Sequence, residues 1–436
     1  MRKLISIISV LAISLVSCST QNAKGVRGGH EVSMSVDVPL SAHSDVSESA
    51  SEPENVQTDS GPILFTNDER EAIARQNDFA LSVYKKLYRS DNENMLFSPL
   101  SLSISLSMLA NGAAGTTLRE LEKMTGMNKR FGLEDLNQLS RKLISGLGCA
   151  DRQTEISLAN SLWVDKDYDV ASGYVRDLKK YYSASVFRCN LHTDTAIYAI
   201  NSWISEKTDG LIPDFLKEPL NESVRMTLCN AMHFKGNWKE PFLITRKGKF
   251  ICSDNREVEI DMLSGTTSNL TVSEDEMMTD VYLDFGDGEY FMECILPTKG
   301  NTLSRIVNAL NSKTLDRLSS GKRKDYRNLI IPKFKTEQEF YLRKILEKLG
   351  YGNIFSPTSD FSRINPSREL SVDNILQGTC YSIDKWGAEG AAVTIEFMET
   401  SNGYEPQNLV FDRPFIYLVR EKSTGAILFV GDVKKL

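Results

Sequence analysis

The chain has 436 residues, 41% hydrophobic, 25% charged and 9% aromatic, an ordinary globular composition that excludes a wholly disordered, collagenous or polytopic membrane protein. With 58 acidic against 51 basic residues and a formal charge of −7, it has the wrong sign for a general phosphate-backbone binder, so nucleic acid is not an expected partner. Four histidines and seven scattered cysteines without a C-x-x-C pair give no zinc or haem signature, and no metal or cofactor is expected.

Residues 1–17 read as a secretory signal: Arg2 and Lys3 supply the positive end, and an apolar run from Leu4 to Val16 follows, too short for a comfortable membrane span. The run ends Leu15-Val16-Ser17-Cys18, which resembles the bacterial lipobox, where the cysteine is lipidated and becomes the mature amino terminus. That resemblance implies a membrane anchor at Cys18 and a place in a bacterial cell envelope, periplasmic or at the cell surface. The alternative is an ordinary signal cut nearby with Cys18 left free. Several acyl chains, at ~0.8 kcal/mol per buried CH₂, would hold the protein firmly to a bilayer. Residues 18–61 then form a tether. Within 19–61 there are nine serines, seven acidic and two basic side chains and no aromatic residue, too little apolar area to offset the entropy of ordering.

From residue 62 to 436 no second linker or repeat interrupts the chain, which predicts one large domain of mixed α+β class. Phe79, Val83 and Leu87 recur at four-residue steps, the stripe of an amphipathic helix. Ser98-Pro99 supplies a cap and a first-turn proline for a helix over 100–111, with Gly112 as its stop. The runs at 290–297, 409–411, 414–419 and 427–431 are aromatic or β-branched and of strand length. The cysteines from Cys149 to Cys380 are expected as buried free thiols.

A hydrolytic centre would need a nucleophile beside a general base. No G-x-S-x-G elbow and no phosphate loop occurs. His192 reads as part of a solvated turn, His233 as a satisfied strand or core histidine, and the basic run Gly321-Lys322-Arg323-Lys324 as a solvated turn. No catalytic residues are expected.

Segments in order along the domain resemble the serpin family. The first comprises Asn94-Met95-Leu96-Phe97-Ser98-Pro99-Leu100-Ser101 with Met108-Leu109-Ala110-Asn111-Gly112-Ala113 and Thr116. Next come Asn201-Ser202-Trp203-Ile204 with Thr208-Asp209-Gly210, and Asn230-Ala231-Met232-His233-Phe234-Lys235-Gly236-Asn237-Trp238 with Phe242. Leu296-Pro297, Ile331-Pro332-Lys333-Phe334, Leu349-Gly350, Phe355 and Asp360-Phe361-Ser362 follow, then Phe411-Asp412-Arg413-Pro414-Phe415 and Ile427-Leu428-Phe429-Val430-Gly431-Asp432-Val433. The resemblance implies three β-sheets, about nine helices, an exposed reactive-centre loop, a monomer, and serine or cysteine proteases as covalent partners. It also implies a central sheet with an unfilled strand position, which the cleaved loop enters.

The hinge of that loop would be Gly387-Ala388-Glu389-Gly390-Ala391-Ala392-Val393-Thr394, small enough to slide between strands. Alternation turns Ala388, Gly390, Ala392 and Thr394 inward and Glu389 outward. The scissile bond is expected after Ser401, between Ser401 and Asn402 with Thr400 beside them, and Phe397 or Met398 as alternatives. No lysine or arginine lies between Trp386 and Asp412, which disfavours trypsin-like targets and suits elastase-like or chymotrypsin-like ones. Ser98, Ser101, Trp203, Asn230 and Gln377 are expected where the central sheet opens. Three departures stand out: Lys385 where the family has an acid, Gln377 where it has a histidine, and Glu396 continuing the inward face. A non-inhibitory carrier of the same fold is the alternative reading.

Overall fold

A computed structural model describes residues 7–17, 64–88, 93–266, 270–319, 328–367, 369–387 and 408–436. The tether, the basic run at 321–324 and the bait loop from Ala388 onward, with Thr400, Ser401, Asn402, Phe397, Met398 and Glu396, lie outside the described residues, as does Cys18.

The first element is unexpected: β1 is Ile7–Ser17, the apolar leader itself. Helix α1, Asn67–Leu87, starts well before the Phe79 stripe because Thr66 and Glu69 close a reciprocal capping box. After β2 (Met95–Phe97) comes α2 (Pro99–Gly112), capped by Ser98 and buried on every side, as befits a helix with no charged residue. Gly112 is its last residue; a side chain there would run into Ile364 at 2.2 Å, so close packing accounts for the glycine. The chain continues through α3 (Gly115–Met124), α4 (Leu133–Leu147), β3 (Thr154–Asp165), α5 (Ser172–Tyr182), β4 (Ser185–Cys189), α6 (Asp194–Lys207) and β5 (Val224–Gly236). Five strands follow: β6 (Ile244–Ile251), β7 (Glu257–Thr266), β8 (Thr271–Glu274), β9 (Met278–Phe285) and β10 (Tyr290–Pro297). The remainder is α7 (Leu303–Ala309), α8 (Ser312–Ser319), β11 (Asn328–Pro332), β12 (Phe334–Tyr341), α9 (Arg343–Lys348), β13 (Leu370–Ile383), β14 (Asn408–Val410), β15 (Phe415–Glu421) and β16 (Ile427–Val433).

Among the described residues these make nine α-helices and three sheets, the α+β architecture expected from the sequence. The central sheet has the order β12-β13-β1-β5-β3-β4, the second β2-β16-β15-β10-β9-β8 and the third β14-β11-β7-β6. One face of the central sheet joins the main core with α2 and the second sheet; the other is covered by α6 through Ile197, Ile200, Trp203 and Ile204. Covered on both faces, β5 is buried along nearly its whole length rather than on alternate residues. The six cysteines from Cys149 to Cys380 are free, and burial pushes the Cys229 thiol up to about 12.

Candidate functional site: the slot in the central sheet

β5 and β13 run in the same direction with β1 between them, antiparallel to both. Pairing with β13 runs from Ile8 opposite Cys380 to Ser17 opposite Leu370. On the other edge it runs from Ile7 opposite Phe234 to Val16 opposite Val224. The strand position expected to be unfilled is therefore occupied along its length. A thirteen-residue apolar run suits a membrane leader and a doubly covered strand equally well, which is why the sequence does not separate the two. Ala12 sits at 4% exposure among Trp163, Leu191, Ile200 and Trp203, and Leu15 at 0% in the main core. The two faces of the strand thus meet the two layers.

The mouth of the slot is where β13 ends. Beyond Ile383 the chain is clamped to the segment that follows β5: Trp238 Nε1 donates to the Asp384 carbonyl at 2.9 Å, Trp238 N to the Trp386 carbonyl at 3.2 Å, and Phe242 N to the Lys385 carbonyl at 2.8 Å. Trp238 is itself stacked on Phe285 with ring centroids 4.5 Å apart. Lys385, standing where the family carries an acid, lays its ammonium 4.7 Å from the centre of the Trp386 ring. Burial raises the Asp384 carboxyl above its usual range, against the opposing bond from Trp386 N. Gly387, the first hinge residue, bridges Asn237 with φ +89°; a Cβ there would fall 2.3 Å from Trp238 N. Only glycine fits so close an approach at a positive φ.

Halfway along the slot, Leu11 is paired with Asn230 on one side and Gln377 on the other. Gln377 is fully buried and clips the start of α2: its Oε1 accepts from Ser98 N at 3.0 Å and its Nε2 donates to the Ser98 carbonyl at 3.1 Å. Ser98 Oγ donates to the Leu428 carbonyl at 2.8 Å, tying the second sheet to the same point. Across the slot Asn230 donates to Asn160 Oδ1 at 2.8 Å, and Asn160 to the Tyr182 carbonyl at 2.9 Å. Yet Ser101 Oγ and Asn230 Oδ1 are buried without a hydrogen-bond partner. Ser98, Ser101, Asn230 and Gln377 are thus brought together beneath the sheet, while Trp203 belongs to α6 on the opposite face.

Two histidine readings change. His192 is not in an open turn: its Nε2 lies 3.4 Å from Asp165 Oδ2 and its Nδ1 3.2 Å from the Leu220 carbonyl. His233 is a buried strand residue of β5, but its Nε2 has no partner, and burial lowers its pKa, favouring the neutral ring. Among the described residues no group of three or more His, Cys, Asp or Glu is placed to hold a metal. What sequence reasoning missed at the mouth is the set of backbone bonds from Trp238 and Phe242; the only signal was an aromatic pair after β5 that resembled a family hallmark.

Comparison with known proteins agrees with this geometry. The family model described as "Serpin (serine protease inhibitor)" matches residues 74–436. The chain is 31% identical to plasminogen activator inhibitor 1 of Mus musculus over 369 residues, covering 82% of this chain and 90% of that one. It is also 31% identical to corticosteroid-binding globulin of Saimiri sciureus, covering 82% and 88%. The solved structure of the thermophilic serpin tengpin in its native state superposes with a TM-score of 0.73 at 24% identity, over 86% of this chain and 97% of that one.

Proposed function

The chain belongs to the serpin family, and from that premise we propose that it is a suicide-substrate inhibitor of serine or cysteine endopeptidases, elastase-like or chymotrypsin-like rather than trypsin-like. The observation that carries the reading is the slot: β5 accepts an antiparallel strand from Val224 to Phe234 and β13 from Leu370 to Cys380, and Gly387 stands at its mouth, bridged to Asn237. A target's serine or cysteine attacks the carbonyl of Ser401, the amine of Asn402 leaves, and the loop remains bound as an acyl-enzyme. The freed strand then enters the slot and drags the protease along before water completes hydrolysis. Fifteen residues at ~3.3 Å each cover about 50 Å, and a displacement of catalytic groups by even ~1 Å costs on the order of 100-fold in rate.

Continuing the Gly387–Asn237 register down β5 places Gly390 opposite Phe234, Thr394 opposite Asn230 and Glu396 opposite Leu228. Thr394 would bring a hydroxyl to the point where Ser101 Oγ and Asn230 Oδ1 lack partners. Glu396 favours the second reading. It would lie between Leu228 and Ile375, both in the main core, and an unpaired carboxylate is costly there; a carrier that never inserts its loop would avoid that cost. Relatives include both kinds by name, an inhibitor and a corticosteroid-binding globulin.

We place the protein in a bacterial cell envelope, held by lipid on Cys18 after removal of residues 1–17, with residues 18–61 as the tether. Radiolabelled palmitate incorporation that is lost in Cys18→Ser tests this. The inhibitory reading is tested by mixing the processed chain with elastase and trypsin: a covalent band of summed mass is expected with elastase and not trypsin, and Ser401→Arg should redirect it to trypsin. Trapping of trypsin by the wild type would refute the target class.

A further inference from the structure

We propose that Ile7–Ser17 is an intramolecular plug: in the unprocessed chain the leader occupies the slot that the bait loop must enter, so the precursor cannot trap a protease until the leader is withdrawn. This rests on the inhibitory reading for its consequence, but not for the plug itself.

Three observations carry it. First, β1 fills the same position as the incoming loop and runs in the same direction. Its start lies opposite Phe234 and Cys380 near the mouth marked by Gly387, and its end lies opposite Leu370 at the far side of the sheet. In the register set by Gly387, residues from Gly390 onward would need the backbone partners that Ile7 onward already holds. Two strands cannot share one set of N–H and C=O groups. Second, the plug satisfies both layers, with Ala12 against the α6 side and Leu15 in the main core. Where the loop brings Glu396 opposite Leu228, the leader brings Ile13. Third, the fit has a flaw that leaves the plug removable. Leu11 stands between Asn230 and Gln377, and Ser101 Oγ and Asn230 Oδ1 stay unpartnered. Each buried unsatisfied polar atom is a penalty that the loop, with Thr394 at that position, would relieve. The leader therefore holds the backbone positions the loop would need, whereas the loop would bring a hydroxyl to the point where Ser101 Oγ and Asn230 Oδ1 lack partners.

Position makes the arrangement releasable by processing. The plug ends at Ser17, so a cut before Cys18 falls at the base of the sheet and severs the plug from the domain without breaking any of its strands.

The test uses the full chain carrying Cys18→Ser, which keeps the leader in place. Ala12 lies directly opposite Cys229 on β5, and Ile8 directly opposite Cys380 on β13. Adding Ala12→Cys or Ile8→Cys should give an intramolecular disulfide on oxidation with copper phenanthroline, to Cys229 and Cys380 respectively by peptide mass mapping. Ser14→Cys, opposite Thr227 and Asn374, should give none. Absence of both cross-links in folded protein, or a Ser14→Cys yield equal to theirs, overturns the plug. A second arm places a charge at a fully buried position, Leu15→Lys, to expel the strand. The retained-leader chain should yield at least tenfold less covalent complex with elastase than the Leu15→Lys chain. Equal yields overturn the proposal. Cross-links in the first arm with no complex from the Leu15→Lys chain would support the plug and sink the inhibitory reading instead.

Discussion

Replacing Gln377 with leucine tests the joint between the central sheet and α2. The side chain is fully buried, and both of its bonds go to one residue: Ser98 N donates to it at 3.0 Å and the Ser98 carbonyl accepts from it at 3.1 Å. Leucine leaves the buried Ser98 N–H without its acceptor, while the Ser98 carbonyl keeps its bond from Leu102 N at 3.3 Å, so a loss of about 1–3 kcal/mol, roughly 2 kcal/mol, is expected. At ~2.1 cal/mol/K per residue over about 375 residues, the unfolding entropy is about 0.8 kcal/mol/K, which converts a loss of roughly 2 kcal/mol to about 2–3 °C in melting temperature. Differential scanning calorimetry at one fixed scan rate reads it, the fixed rate being needed because such unfolding is under kinetic control. Gln377→Glu, which keeps the acceptor for Ser98 N but offers no donor when ionised, should also destabilise. An unchanged melting temperature for Gln377→Leu would mean that the clip contributes nothing and that the sheet opening is held elsewhere.

Gly387→Val forces a β-branched residue into φ +89° and against Trp238 N, at about 1–3 kcal/mol of strain. It should detach the Trp386–Trp238 bond, shift tryptophan emission and reduce complex yield several-fold; unaltered emission and yield would refute the clamp. Glu396→Leu removes the carboxylate from the apolar position opposite Leu228, so the cleaved, inserted form should gain stability on the order of several kcal/mol, read as a higher melting temperature after loop cleavage; no gain would mean a different register. Asp432, fully buried beside Tyr84 and Lys434, has its carboxyl raised to about 6, chiefly by burial. A raised carboxyl contributes stability below its unfolded value that is lost as pH rises through the folded one, here about 3 kcal/mol between pH 4 and 6. Asp432→Asn should flatten that part of the pH–stability curve measured in urea; an unchanged slope would refute the assignment.

What the sequence made legible was local and repetitive. The Phe79–Leu87 stripe, the Ser98-Pro99 cap and the strands at Tyr290–Pro297 and Ile427–Val433 lie where their patterns put them. At Gly387 a positive φ of +89° accounts for the glycine itself. Less legible were features that depend on partners distant in the chain. Ser98 meets Gln377 across 279 residues and Trp238 meets Asp384 across 146, and no periodicity encodes either contact. His192 read as solvated because Asp165 and Leu220, which flank it in space, are far from it in sequence. The strand at Ile7–Ser17 was not legible for a different reason: membrane hydrocarbon and a doubly covered strand position select the same apolar residues.

The central claim, that a cleaved bait loop enters the slot between β5 and β13, is tested most directly by one electrophoretic measurement. The processed chain and its Ala388→Arg variant are each mixed with elastase and resolved under denaturing conditions. The wild type should give a covalent complex of summed mass, and the variant, whose long charged side chain stalls the first inserting position, should be cut as a substrate without forming one. Equal complex yield from the two proteins would contradict strand insertion as the source of inhibition.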